Sequence, residues 1–532
     1  MQPARAPRFP RRWAALVAVG GGLCGVLAFP RFGLWPFAFV SVALLCVAVD
    51  GRRARTGAWL GYVYGLAFLL PLLQWTGVYV GAGPWLILCA AFAAFFALLG
   101  ALVPTLARLP AAPIWVGAAW VLEETLRDRI PFGGFPWGRL AFSQAASPVR
   151  WFAALGGAPL VTFVVAVGGG GLALAMSAAW PVQRRPLLTG VGVLLLVPLL
   201  GLIASWPLRP APDKDGRTAT IAVVQGGLPD LALQFESRAE QVLDNHVRET
   251  LRLADEVRAG TVPRPQLVLW PEDASDVDPF QNPDAFRKID QTVRAIGVPV
   301  LVGAILQGPG PTHRRNVGIL WSPTTGPGAR YTKRHPVPFG EYIPLRSLAE
   351  WVSADAKTVS QDMVAGHGNG LLRGGPMPIG DVICFEVAYD SLVQSSVAAG
   401  ARLVVVQTNN ATFGHTAETY QQLAMSQLRA VETDRTVVQA ATTGKSAVIG
   451  PDGRIRDESG PLFSSDLLVD TVPLKSAETL AVRLGTLPEY VLAALAIAGV
   501  AAVVVSDRRA RRSHPQPDGQ AVADSTQEMV QA

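Results

Sequence analysis

Lysine is absent from the first 213 residues of this chain, and positive charge before Lys214 is carried by arginine alone. Charge of either sign is scarce: 16% of the 532 residues are Asp, Glu, Lys or Arg, and 50% are hydrophobic. About a quarter of a soluble domain is charged, so the deficit argues against an ordinary soluble chain and points to a membrane protein. Cysteine is rare too. Of the four, Cys24, Cys46 and Cys89 lie in apolar runs and only Cys384 lies in the polar half, which excludes a disulfide within that half. The pI near 9.3 comes with no helix-turn-helix, zinc-finger or RNA-binding signature. The basic residues gather in short loops beside apolar segments, as topology determinants do, and no nucleic acid is expected as a partner. The N-terminal arginines precede an apolar stretch with no convincing small-residue cleavage site, which predicts a retained first helix.

Stretches of roughly 17 to 25 mostly apolar residues cross a bilayer core as helix. Seven precede the polar half, at about Trp13–Phe29, Leu34–Val49, Ala58–Val80, Pro84–Leu106, Pro113–Leu126, Pro159–Trp180 and Leu187–Trp206, and an eighth follows at Leu487–Val505. Eight crossings put both ends of the chain on one side. Arg5, Arg8, Arg11, Arg12, Arg52, Arg53, Arg55, Arg108, Arg184, Arg185, Arg508, Arg509, Arg511 and Arg512 all fall there, which makes that side cytoplasmic. The loop after the fifth span breaks the pattern, since Arg127, Arg129, Arg139 and Arg150 fall outside. It reads PFGGFPWGRLAFSQ, the look of an ordered, partly membrane-dipped segment. Glu123 and Glu124, near the outer end of the fifth span, are costly there unless paired, and Arg127 one turn on is the expected partner.

Beyond the proline-rich linker PLRPAPDKDGR, short β-branched runs alternate with helical stretches at Ser237–Ala259, Asp284–Ile296 and Thr419–Thr433. This is the pattern of an α/β domain with buried sheets. The chain thus divides into seven transmembrane helices over 1–206, a linker over 207–217, an extracytoplasmic α/β domain over 218–480, the eighth helix over 481–506 and a disordered cytoplasmic tail over 507–532.

Three polar residues stand out beside strand-like runs, where loops at strand ends assemble sites: Glu272 after LVLWP, Lys333 in RYTKRHPVPFGEYIP, whose prolines prevent a regular helix or strand, and Cys384 closing MPIGDVIC. Singly, each has an ordinary explanation: a solvated cap, a surface charge, a small core hydrophobe. In combination, WPE, YTKRHPVPFGEY and CFE, in this order, resemble the nitrilase superfamily. With GGFPWGRLAFSQ, VVQGGLP, TNNATFGHTAETYQQLAMSQLRAVE and TTGKSAVIGPDGR added, nearly the whole chain resembles the apolipoprotein N-acyltransferase family.

That resemblance implies a multi-pass α-helical membrane domain joined to a nitrilase-like αββα sandwich, in a bacterial cytoplasmic membrane. It matches Glu272, Lys333 and Cys384 to the family's catalytic triad and Glu341 and Glu386 to two supporting carboxylates. The implied reaction passes an acyl chain from a membrane phospholipid through a Cys384 thioester to the α-amino group of a diacylglyceryl-modified apolipoprotein, with no cofactor or metal. Phe385 stands where the family often has Tyr, which puts any role for a phenolic hydroxyl there in doubt. Phe235 replaces a common Trp, and Gly227 the usual Asn. Phe235 and Phe339 are candidate substrate contacts, and HPVPFGEYIPL and SLAEWV candidate lids.

A membrane-tethered amidase or nitrilase with the same triad, and a non-catalytic scaffold, are the competing readings. The first has no need of seven preceding spans, and the second gives no reason to keep all three reactive residues. A transporter fails because paired ionisable residues do not recur deep in several spans. The topology is directly checkable: a reporter active only outside the cytoplasm is expected to work when fused near Asp213 and to be silent near Arg185. Activity at Arg185 overturns the seven-crossing arrangement.

Overall fold

A computed structural model describes residues 7–179, 183–206, 216–228, 235–347, 350 and 359–513. Most of the expected linker, most of SLAEWV and the tail beyond 513 lie outside the described residues. The apolar runs form helices α1 (Arg11–Ala28), α2 (Phe37–Val49), α3 (Ala54–Leu72), α4 (Ala82–Leu106), α5 (Ala112–Arg127), α6 (Ala153–Ala178) and α7 (Arg184–Ser205). Five helical stretches among the described residues are long and apolar enough to cross a membrane: Arg11–Ala28, Ala82–Leu106, Pro148–Ala178, Arg184–Ser205 and Leu487–Ala510; α2 is a shorter apolar helix.

Two boundaries differ from expectation. The third apolar run breaks after Leu72, and a separate short helix covers Thr76–Val80. Pro71 sits in the last turn, and the Leu72 carbonyl accepts from Gln421 Nε2 at 3.2 Å instead of continuing the helix. The sixth run starts earlier, at Ala153, and bends at Gly156 and Gly157, where Gly157 has φ 70°. Small residues set the closest approach in the bundle. A Cβ on Gly61 would lie 2.1 Å from the Phe96 carbonyl, and one on Gly57 would lie 2.2 Å from that of Gly100, so α3 and α4 pack backbone to backbone.

The polar half contains two sheets. The first uses β1 (Thr218–Gln225), β2 (Leu267–Leu269), β3 (Val300–Gln307), β4 (His313–Ser322), β5 (Gly326–Thr332), β6 (Asp362–Met363) and β13 (Asp466–Pro473), in the order β13-β1-β2-β3-β4-β5 with β6 beside β4. The second uses β7 (Leu371–Leu372), β8 (Ile379–Ile383), β9 (Leu403–Thr408), β10 (Thr436–Ala441), β11 (Ala447–Ile449) and β12 (Ile455–Glu458), in the order β12-β11-β10-β9-β8-β7. Strands β1, β2 and β3 run parallel, as do β8, β9 and β10.

Side chains alternate across a strand, and here both faces are apolar. In β1, Ile221 and Val223 join Leu403 and Val405 of β9 in the core between the sheets. Ala222 and Val224 face the other way, toward Leu243 of α8 (Phe235–Arg258) and Ile289 and Val293 of α9 (Pro283–Ile296). Val404 and Val406 of β9 face Leu392 of α10 (Asp390–Ala398) and Leu428 of α11 (Glu418–Thr433). The layers are helix, sheet, sheet, helix. The last core does not stop at α10 and α11: it continues into Trp137, Phe142, Val149 and Val161 of the helical half, so the outer helical layer of the sandwich is also its seat on the bundle.

Buried charge reinforces that seat. Arg139, 3% exposed, lies 3.4 Å from Glu124, 3.3 Å from Asp128 and 3.0 Å from Asp390. Asp390 also pairs with Arg429 at 2.6 Å, and Arg429 with Glu432. Three of the four arginines that broke the charge pattern, Arg127, Arg129 and Arg139, hold buried or half-buried carboxylates. Arg127 pairs with Glu123 at 2.8 Å, as expected, and caps the Phe135 and Trp137 carbonyls; Arg129 pairs at 2.6 Å with Glu489 of α12 (Leu487–Ser513). Glu124 pairs differently: it accepts from the Leu140 amide and the Thr162 hydroxyl, both at 2.8 Å, and faces Arg139 rather than Arg127.

The opposite end of the bundle carries Arg8, paired with Asp50 at 3.2 Å, and Arg108, paired with Asp507 at 2.6 Å. Helix α12 runs through Asp507 to Ser513, into the stretch expected to be tail. Removing one member of a buried ion cluster typically costs about 3–5 kcal/mol, because its partners stay buried and unpaired. Arg139→Leu is accordingly expected to lower the stability of the full-length protein in detergent by about that much. Thermal unfolding that matches wild type would show that the cluster does not hold the halves together.

Candidate active site

The site forms where strand ends of both sheets meet. Glu272 follows β2 through Pro271, Lys333 directly follows β5, and Cys384 directly follows β8. Lys333, 2% exposed, lies 2.9 Å from Glu272 Oε1 and 2.8 Å from Glu341 Oε1. Asn316 Nδ2 donates to Glu272 Oε1 at 2.7 Å, and the Asn409 amide donates to its Oε2 at 2.9 Å. Glu341 is fixed in turn by the Val337 amide at 2.7 Å.

Cys384 is partly exposed and opens a single 3-10 turn to Ala388, with φ 53°, a left-handed backbone unusual for a residue bearing a Cβ. Such outliers cluster at reactive sites held by their surroundings. Burial first, and the Glu272 carboxylate second, push the thiol well above its ordinary range, while Lys333 opposes them. The same neighbours act on Lys333: burial disfavours its charge, but Glu272 and Glu341 outweigh burial and hold the ammonium well above the usual lysine range. The resting site therefore holds a protonated thiol and a charged lysine.

Glu386 is brought to the site's frame, not to the lysine's hydrogen bonds. It accepts from the amides of Arg334 at 2.6 Å, His335 at 3.1 Å and Ile383 at 2.9 Å, and from the Tyr331 hydroxyl. One carboxylate thus ties the cysteine turn to the lysine loop. Burial raises its pKa, and these amides work against the rise. Phe385 is buried and stacks on Trp137 at 6.0 Å between ring centroids and on Phe135 at 5.6 Å, joining the cysteine turn to the outer loop. The Phe235 side chain lies outside the described residues. Gly227 has φ 66°, and a Cβ there would lie 2.6 Å from the Ser465 amide, so glycine suits both conformation and space.

The loop after Lys333 lies against the outer loop of the bundle. Phe339 meets Phe132 edge-on at 6.2 Å, Tyr342 donates to the Phe132 carbonyl at 3.4 Å, and Tyr389, stacked on His335, donates to that of Gly133 at 3.3 Å. Ile130, Phe132, Phe339 and Leu345 remain exposed there and give this edge an apolar rim. Among the described residues no group of three or more His, Cys, Asp or Glu is placed to hold a metal ion.

Sequence reading missed Asn316, Thr408, Asn409 and Gln422. Asn316 left one usable signal, an amide that opens the apolar run of β4 directly after Arg314 and Arg315, where a buried polar group must find partners.

Sheets, helical layers and three reactive side chains at strand ends define the class as a carbon-nitrogen-hydrolase type domain carried on a helical bundle. A family model for carbon-nitrogen hydrolases matches residues 220–481, and one for the apolipoprotein N-acyltransferase N-terminal domain matches residues 21–171. An apolipoprotein N-acyltransferase of Mycolicibacterium smegmatis is 40% identical over 92% of this chain and 84% of its own length. Another, of Geobacter metallireducens, is 29% identical over 95% and 97%. An amidase of Nesterenkonia AN1 from the nitrilase superfamily overlays with a TM-score of 0.37 and 21% identity, covering 50% of this chain and 93% of the amidase. The chain belongs to the apolipoprotein N-acyltransferase family.

The site's electrostatics give a signed prediction. Glu272→Gln removes a negative charge that holds the thiol up and leaves Lys333 in place, so the pH midpoint for alkylation of Cys384 is expected to fall. At neutral pH, alkylation by a small electrophile should then be faster than in wild type even as acyl transfer slows. A midpoint that stays or rises would mean Glu272 is not electrostatically coupled to the thiol.

Proposed function

We propose that Cys384 is the nucleophile of a two-step acyl transfer, with Glu272 as its base and Lys333 as the stabiliser of the oxyanion. The observation that carries this is the meeting of the three side chains at strand ends of both sheets, beside an apolar rim at one end of the helical bundle. Family membership makes the reaction the N-acylation of a lipoprotein by a bacterial membrane enzyme.

In the first step the Cys384 proton moves to Glu272 as sulfur attacks the ester carbonyl of a phospholipid. The transfer moves charge within the site without adding any, so the surroundings that oppose a free thiolate oppose this step less. Lys333 stabilises the negative charge that develops on the carbonyl oxygen. The C–O bond breaks as Glu272 passes its proton to the departing oxygen, a lysophospholipid leaves, and a thioester remains on Cys384 with Glu272 again ionised. In the second step the α-amino group of a diacylglyceryl-modified N-terminal cysteine attacks the thioester, Glu272 takes the amine proton, and sulfur leaves as thiolate and regains a proton from Glu272. The product is an amide. A thioester suits this because it forms from an ester and still yields to an amine.

Donor and acceptor are both anchored in the bilayer, and the exposed rim of Ile130, Phe132, Phe339 and Leu345 gives acyl chains an apolar approach. Placement of the 218–480 domain outside the cytoplasm is supported by the arginines at the far end of the bundle, where Arg8 and Arg108 lie.

Incubating wild-type protein with phospholipid and no lipoprotein tests the reading. A stoichiometric burst of lysophospholipid and a lasting, hydroxylamine-sensitive acyl adduct on Cys384 are expected, with no adduct in Cys384→Ala. Glu272→Gln should slow adduct formation by about a hundred- to ten-thousandfold. Continuous release of fatty acid at the rate seen with acceptor present would make water the second substrate and defeat the transferase reading.

A further inference from the structure

Two uncharged donors face the sulfur of Cys384. Thr408 Oγ1, at the end of β9, lies 3.3 Å from Sγ, and Gln422 Nε2, in α11, lies 3.7 Å from it. Both residues are fully buried. The Gln422 amide is oriented by a short chain of contacts. Glu418 Oε2 accepts from Asn410 Nδ2 at 2.7 Å, and the same nitrogen donates at 2.8 Å to Gln422 Oε1, which turns the Gln422 NH2 group toward the sulfur.

Thr408 has a single hydroxyl hydrogen and two acceptors in reach, Cys384 Sγ at 3.3 Å and Gln422 Oε1 at 3.0 Å. It can serve only one at a time. A neutral thiol or thioester sulfur is a weak acceptor, so the amide oxygen holds the hydrogen in those states. A thiolate reverses the preference, because hydrogen bonds to a charged group are roughly twice as strong as neutral ones.

We propose that Thr408 and Gln422 form a donor pair for the Cys384 thiolate, with the Thr408 hydroxyl turning to the sulfur only while it bears charge. The inference rests on Cys384 as the nucleophile. Sulfur carries developing negative charge twice: when its proton passes to Glu272 during attack on the ester, and when the C–S bond breaks and the electron pair returns to sulfur as the amine displaces it. Donors that bind the thiolate and release the thioester act on the transition states and not on the intermediate, the condition for acceleration. This sulfur-directed pair is separate from Lys333, whose role is on the acyl oxygen. The charged and titratable groups acting on the sulfur from neighbouring elements are Glu272, Lys333 and Glu418, and the test leaves all three in place.

The test is the pH dependence of Cys384 alkylation by iodoacetamide in the full-length detergent-solubilised protein, read on the Cys384 peptide by mass spectrometry. Thr408→Val removes the hydroxyl with little change of shape and should raise the midpoint by about one pH unit, the effect of losing one hydrogen bond to a charged group. Thr408→Ser keeps the donor and should restore the wild-type midpoint. Thr408→Ala is read in the same way, and Gln422→Met is read in the Thr408→Val background, where no hydroxyl is left to lose its competing acceptor, so a folding failure of one variant leaves the others decisive. In a second measurement, a preformed acyl adduct should pass to added lipoprotein about tenfold more slowly in Thr408→Val than in wild type. Unchanged midpoints in the donor-deleting variants overturn the proposal. Absence of any acyl adduct on Cys384 in wild type is a different result, and it sinks the nucleophile assignment itself.

Discussion

The buried guanidinium of Arg139 is the constraint on which the two halves depend. It leaves the outer loop of the bundle and meets carboxylates from both sides, Glu124 and Asp128 from the helical half and Asp390 from the sandwich. A lone charge this deeply buried is very costly, and it is tolerated only where several partners converge in fixed geometry. Asp390 and Arg429 extend the cluster along α10 and α11, the helices that also back the strands leading to Cys384 and Thr408. Apolar packing alone would allow these helices to slide over the bundle. Directional ion pairs fix their register.

That register sets the geometry of the site. Phe385, next to Cys384, stacks on Phe135 and Trp137 of the outer loop, while Gln421, next to Gln422, accepts from Trp137 Nε1 at 2.7 Å and donates to the Leu72 carbonyl. Adjacent residues thus face opposite ways, one toward the bundle and one toward the sulfur. Within the site, one ammonium stands between two carboxylates, and burial first, then the Glu272 charge, opposes a standing thiolate. A cysteine kept protonated at rest is shielded from side reactions.

Much of this was legible beforehand. The apolar runs marked helices α1 to α7 and α12, and the β-branched runs marked the strands, because burial on both faces leaves an unbroken apolar signature. Glu272, Lys333 and Cys384 stood out by their place beside such runs, and they do meet. Glu386 was picked out with them, yet its partners are the amides of Ile383, Arg334 and His335. Its neighbourhood in sequence, beside Cys384, said nothing of which groups its oxygens would reach. Arg127, Arg129 and Arg139 looked like exceptions to a charge rule until their carboxylate partners were seen.

The sequence by itself determined what depends on local order: the period and length of apolar segments, the arginine asymmetry between helix ends, the place of WPE and CFE at the ends of apolar runs, and the presence of one cysteine in the polar half. These follow from backbone geometry and solvent transfer, which act over a few residues at a time. Only the tertiary structure decided which distant groups share a low-dielectric space. Glu124 turned to Arg139 rather than to Arg127 one turn away, because the outer loop folds the guanidinium over it. Asn316 reached Glu272 from another strand, and Thr408 and Gln422 reached the Cys384 sulfur from β9 and α11. Hydrogen bonds and ion pairs depend on ångström distances and direction, and the packing of two sheets and a bundle sets both.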